Sequence, residues 1–156
     1  MNLPTRPPIK TVLIATDLSD PSLPAIDAGM QLAKAFDAKV VLGYVVEDHM
    51  PPVGLIEVSG YSYEAITEQH RERAEARLRE YAKAAAGEGL EVDVDVARGV
   101  AHAELVEMSK RHLADVLVMS THGRGFISHA LLGSTTERVL RRAECPVYVI
   151  RDPRED

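Results

Sequence analysis

The residues best placed to do chemistry lie in one stretch, VLVMSTHGRGFISHALLGSTTERVL, residues 116–140. It joins an apolar run ending at Met119 and Ser120, a loop holding Gly123 and Gly125, and a helix that begins at Gly133-Ser134. Glycine permits positive φ and close approach of the backbone to a ligand. Ahead of a helix, Gly133 leaves the amides of Ser134 and Thr135 without intrahelical acceptors, and with the helix dipole they favour an anion. The two hydroxyls are further donors. Arg124 follows Gly123 directly and either reaches a terminal phosphate as a bidentate donor or lies solvated in its loop. A reading without ligand stands beside this one, because Ser134 and Glu137 have the spacing of a capping box.

A second polar stretch, ATDLSD at residues 15–20, follows an apolar run near the start. A phosphotransferase that works with two aspartates two residues apart does not fit, since Asp17 and Asp20 are three apart. A receiver domain needs its acceptor aspartate after the third strand, where this chain has VARGVA, and a GxGxxG dinucleotide turn is missing because no glycine occurs between Ile9 and Asp27. Asp17 therefore either accepts hydrogen bonds from a ribose or orders its own turn. His122 and His129 have no third metal-ligating residue close by, so they do not make a zinc site. His49, His70, His102 and His112 read as surface or interface residues, and Cys145 before Pro146 as a small hydrophobe. Arg138, Arg141 and Arg142 fall in the last turns of a helix, where positive charge is favoured.

The elements that must position these residues alternate along the chain. KTVLIAT (10–16) reads as a buried strand, and Asp20 before Pro21 as an N-cap with proline at the first helical position. Ala25, Gly29, Leu32, Ala33 and Phe36 share one face of that helix. AKVVLGYVVE (38–47) is a second strand, and Asp48 to Gly60 a long loop expected to be mobile. Ser62 to Ala86 is an amphipathic helix with Tyr63, Ile66, His70, Ala74, Leu78, Tyr81 and Ala85 at helical spacing. LEVDVDVA alternates, with Val92, Val94 and Val96 inward, which suits a strand near a sheet edge. HAELVEMSKRHL is a third helix, ADVLVMS a fourth strand, Ser134 to Ala143 a fourth helix and CPVYVIR a fifth strand.

The order βαβαβαβαβ predicts a single-domain α/β fold: a five-stranded parallel sheet with helices on both faces, Rossmann-like, in the order 3-2-1-4-5. Residues 1–8 and 152–156 are expected to be flexible ends. Ligands in such sheets bind beyond the carboxyl ends of the strands, where the strand order reverses. That rule selects the residues after the first strand and those after the fourth.

The sequence STHG, nine residues from Gly123 to Gly133, then GS, a helix and CPVYVI resembles the nucleotide loop of the universal stress protein family. The likeness runs from TVLIATDLSD to the final strand, with Ser120 standing where the family pattern has its first glycine. The resemblance implies that Ala15, Thr16 and Asp17 line an adenosine, with backbone atoms of Val45 at the adenine. It further implies Met119, Ser120 and Gly123 beside ribose and phosphates, and Gly133, Ser134 and Thr135 on the phosphate chain. The cofactor it implies is ATP, with Mg or Mn bridging phosphate oxygens; cAMP or AMP would suit the adenosine half of the pocket.

Size, charge and cysteine content bound the function. A chain of 156 residues buries about two-thirds of its unfolded surface without disulfide or metal. The net charge of −6 and the aromatic content of 4% disfavour nucleic acid. No apolar run nears the ~20 residues of a membrane span, and MNLPTRPPIK reads as a frayed start, so a cytoplasmic protein is expected. An apolar edge strand, Val147, Tyr148, Val149 and Ile150, is expected to pair with its copy in a homodimer. The function expected is an ATP-binding regulatory protein of the stress response with an unidentified protein partner and at most slow hydrolysis. The alternative is a nucleotide-free dimeric protein-interaction module; a third reading, substrate adenylation, has no substrate constellation in the sequence.

Overall fold

The alternation of strands and helices closes into one sheet. A computed structural model describes residues 8–47, 62–121 and 132–151. Its elements are β1 (Thr11–Ala15), a 3-10 turn (Asp20–Ser22), α1 (Leu23–Phe36), β2 (Lys39–Glu47), α2 (Tyr63–Ala86), β3 (Val92–Gly99), α3 (Ala101–Arg111), β4 (Val116–Ser120), α4 (Ser134–Arg142) and β5 (Val147–Ile150). All neighbouring strands are parallel, in the order β3-β2-β1-β4-β5. This is the order expected from the sequence.

Both faces of the sheet are covered, and the central strands are apolar throughout for that reason. Val12 and Ile14 of β1 face Ala25, Ile26 and Ala33 of α1 and Ala74, Leu78 and Ala85 of α2. Leu13 and Ala15 face Leu105 and Met108 of α3 and Val139 of α4. Gly29 lets α1 sit close on β1, since a β-carbon there would lie 2.5 Å from Ile14 Cδ1. Asp115 fixes the amino ends of β1 and β4 together, its Oδ2 accepting from the amides of Lys10 at 2.7 Å and Thr11 at 2.9 Å.

Several expectations are corrected. Asp20 does not cap α1: it lies inside the 3-10 turn, and Ser22 holds the cap position of the α-helix. Pro21 and Pro24 lack amide donors, so this stretch can only be a helix beginning. Phe36, at the outer end of α1, is half-exposed. On α2 the buried residues are Thr67, Ala74, Leu78 and Ala85, leaving Ile66 and His70 exposed. The Thr67 hydroxyl donates to Tyr63 O at 2.9 Å, so burying it leaves no unmet hydrogen bond.

The third helix stops at Arg111 rather than running to Leu113. Leu113 N–H donates to Lys110 O and Ala114 N–H to Ser109 O, with Leu113 at φ 51. This is a Schellman ending. The same bonding closes α1, with Asp37 at φ 52, and α2, with Gly89 at φ 89. The two edges differ in character. At β3, Val92, Val94 and Val96 pack inward while Lys39 pairs with Asp93 at 2.6 Å and Glu91 at 3.3 Å, so that edge is charged. At β5, Tyr148 is 48% exposed.

Candidate functional site

The strand order reverses between β1 and β4, which lie side by side with Ile14 opposite Val118. After β1 the chain passes into α1 on one face; after β4 it returns as α4 on the other. The carboxyl ends Ala15 and Met119 therefore flank a crevice whose walls belong to opposite layers.

On the β1 side, Thr16 is buried and its amide donates to Gly43 O at 3.0 Å. Its hydroxyl accepts the Leu18 amide at 3.0 Å and shares a 2.8 Å hydrogen bond with Ser22 Oγ. Leu18 turns the chain at φ 60. Asp17 Oδ1 takes both the Ser19 amide at 3.0 Å and the Ser19 hydroxyl at 2.5 Å. Of the two roles open to Asp17, ordering its own turn is therefore in place.

On the β4 side, three contacts join strand end to helix start. Thr136 is buried and donates from Oγ1 to Ser120 O at 3.0 Å; Thr121 N–H donates to Ile150 O at 2.9 Å, and Gly133 N–H to Thr121 O at 2.8 Å. The capping box is not formed. Gly133 is itself the N-cap, with φ −66 and ψ 149 and no side-chain cap. Ser134 is consequently the first helical residue, and Glu137 turns to Arg141 at 2.7 Å. The amides of Ser134 and Thr135 thus belong to a first turn that no described side chain caps. Thr121 Oγ1 is enclosed and has no hydrogen-bond partner among the described residues.

Val45 lies on β2 two residues past Gly43, the partner of Ala15, and its side chain packs on the α3–α4 side. Ala15 and Met119 thus lie at the ends of neighbouring strands, with Thr16 and Asp17 following the first, Gly133 and Thr136 bonded to Thr121 and Ser120 after the second, and Val45 on the strand beside β1. Gly123 and Arg124 lie outside the described residues, as do His122, His129, His49 and the Asp48–Gly60 loop. A cleft of about 330 Å³ lined by Val46, Glu64, Ala65, Thr67, Glu68, Arg71 and Arg98 shares no residue with this crevice.

Two of the histidines read as surface or interface residues have partners within the chain. His102, buried on α3, stands with Nε2 2.8 Å from Arg142 Nη1. Burial, then the charges of Arg142 and Arg138, push its pKa down against Glu47. The ring is neutral and accepts. His112 Nε2 lies 2.6 Å from Asp95 Oδ2, which Arg111 also reaches at 2.7 Å. Burial raises the Asp95 pKa, but the hydrogen bonds from Arg111 and His112 carry it below the usual range. The sequence signal for these pairs was weak because their partners are 40 and 17 residues away. Cys145 is half-buried against the α3–α4 core, and burial raises its thiol pKa, as suits a packing residue.

Residues 8–151 match the Universal stress protein family. The chain belongs to that family. It is 39% identical over 147 residues to universal stress protein MJ0531 of Methanocaldococcus jannaschii, covering 94% of this chain and 85% of that one. The fold matches universal stress protein UspA of Lactobacillus plantarum with a TM-score of 0.81 at 21% identity, covering 94% of this chain and 100% of that one. A universal stress protein solved in complex with cAMP matches with a TM-score of 0.63 at 26% identity, covering 93% and 98%. In this universal stress protein, no described helix is long and apolar enough to cross a membrane.

Proposed function

We propose that this universal stress protein is a regulatory protein that binds an adenine nucleotide, with ATP as the favoured ligand, in the crevice between β1 and β4. The observation that carries the reading is the uncapped start of α4. Gly133 offers no side chain, Glu137 is engaged elsewhere, and the start of α4 is tied to the end of β4 through Thr136 and Gly133. Adenosine would lie along Ala15, Thr16, Asp17 and Val45, with ribose and phosphates passing Met119, Ser120 and Gly123 to Gly133, Ser134 and Thr135. Arg124 would add a donor, and Mg or Mn would be held by phosphate oxygens. The cAMP complex of a family member supports the adenosine half of the pocket.

The readout is regulatory rather than catalytic: the nucleotide orders the β4–α4 segment and so changes a surface met by a protein partner. A test is to heat-denature fresh protein and chromatograph what it releases, alongside melting curves with and without Mg-ATP, AMP and cAMP. At a hundred times its Kd a ligand stabilises by about 2.7 kcal/mol. Gly133→Val should abolish that gain while preserving the fold, because φ −66 at this position suits valine. A wild-type melting point indifferent to all three nucleotides, with nothing released, refutes the reading.

The second reading, a nucleotide-free dimeric interaction module, is favoured by one observation. Asp17 Oδ1 is already engaged by Ser19. A refuted nucleotide test selects this reading.

A further inference from the structure

Ser134, Arg138 and Arg142 are spaced four apart, so they line one side of α4, and all three are exposed. Arg141 lies round the helix and pairs with Glu137 at 2.7 Å. Arg142 instead meets His102, the second residue of α3, just past the carboxyl end of β3 at Gly99. Helical side chains lean toward the N-terminus. Arg138 starts one turn, about 5.4 Å, nearer that end of α4 than Arg142 does. That lean favours a guanidinium between Ser134 and Arg142, and its charge acts on the His102 ring.

Neither Arg138 nor Arg142 has an ion pair with a carboxylate among the described residues, in a chain with 24 acidic residues and 18 basic ones. Like charges one turn apart disfavour each other. The helix dipole compensates Arg142 in the last turn, but its effect fades within that turn, and Arg138 stands at the middle of the helix. A pair of arginines without a carboxylate partner among the described residues, in an acidic protein, marks a place for an anion.

We propose that Arg138 and Arg142 form a seat for the terminal phosphate of a polyphosphate nucleotide whose inner phosphates lie on Ser134 and Thr135. This rests on the nucleotide reading above and deepens it, because the seat would separate ATP from AMP and cAMP, whose single phosphate stops short of it. Guanidinium groups grip phosphate through paired N–H donors, and Arg142 keeps further N–H groups while donating to His102. Facing His102 are Arg138 and Arg142 from α4 and Glu47 from β2. An anion on the arginines offsets their charge at the ring, so His102 takes up its proton more readily when the seat is filled.

The test compares ATP and AMP affinities of the full chain in wild type and Arg138→Gln, with NMR titration of the His102 ring with and without tripolyphosphate. Arg138→Gln should weaken ATP about tenfold and leave AMP unchanged, as befits loss of one charge-assisted contact. Tripolyphosphate should move the His102 titration to higher pH in wild type and not in the variant. Equal losses for ATP and AMP, no loss for either, or a His102 titration indifferent to tripolyphosphate would overturn the seat. A wild type that binds no adenine nucleotide yet shows the His102 shift would overturn the nucleotide reading and uphold the anion seat.

Discussion

Arg142 donates from Nη1 to His102 Nε2 across 2.8 Å, fastening the last turn of α4 to the first turn of α3. The bond requires a neutral ring. Because burial and the two arginines lower the native pKa of His102 below 6.5, the unfolded chain binds this proton more readily. The contribution of this site to stability is constant above pH 6.5, declines as pH falls through 6.5, and stops declining once the lower native value is passed. Urea unfolding of wild type and His102→Gln between about pH 5 and 8 should show curves parallel at the alkaline end, with wild type falling further at the acidic end. Curves parallel throughout would contradict it.

The packing of α1 on β1 predicts that a good helix former will do harm. Gly29→Ala gains about 1 kcal/mol of helix propensity. The added methyl, however, meets Ile14 Cδ1 and Cγ1 at 2.5 Å, and Ile14 is fully buried. Overpacking of this kind costs about 1–3 kcal/mol, so the clash wins. Chemical denaturation should show a net loss for Gly29→Ala, and a gain would mean that α1 is less tightly seated.

Asp37 and Leu113 predict the opposite outcome. Both end helices in the left-handed region, at φ 52 and φ 51, where Gly89 performs the same task for α2. Asp37 also sets a negative charge at the carboxyl end of α1, against the dipole. Leu113 is 81% exposed and loses little by truncation. Asp37→Gly and Leu113→Gly should each stabilise by up to about 1 kcal/mol, read as a raised melting temperature.

The apolar edge at β5 predicts a dimer with a two-fold axis across this strand. Wild type should sediment as a dimer at micromolar concentration. Tyr148→Glu, at a half-exposed edge position, brings like charges together across the axis and should shift the population to monomer. A monomeric wild type removes this proposal without touching the nucleotide site.

The sheet was legible in the sequence because β1, β2 and β4 are apolar on both faces and the loops between elements carry proline and glycine. What escaped was set by packing and by contacts outside the local pattern. Hydrophobicity alone favoured Ile66 as a buried residue, yet Thr67 takes the place, its hydroxyl satisfied by its own helix. Ser134 has the type and spacing of a cap, but the Gly133 amide is drawn to Thr121 and the helix starts one residue earlier than a capping box needs. The residues near the crevice were readable from glycine placement and strand order. The alliance of His102 with Arg142 was not, since no local pattern joins α3 to α4.

Thr121 receives the Gly133 amide at its carbonyl while its own amide reaches Ile150, so a single residue is the unit that couples the front of α4 to the rim strand β5. Neither neighbour can detach without breaking a bond to that unit. Hydrogen exchange at the Thr121 and Gly133 amides should consequently proceed through one shared opening event, whose rate reports on the pocket floor and the outer strand together.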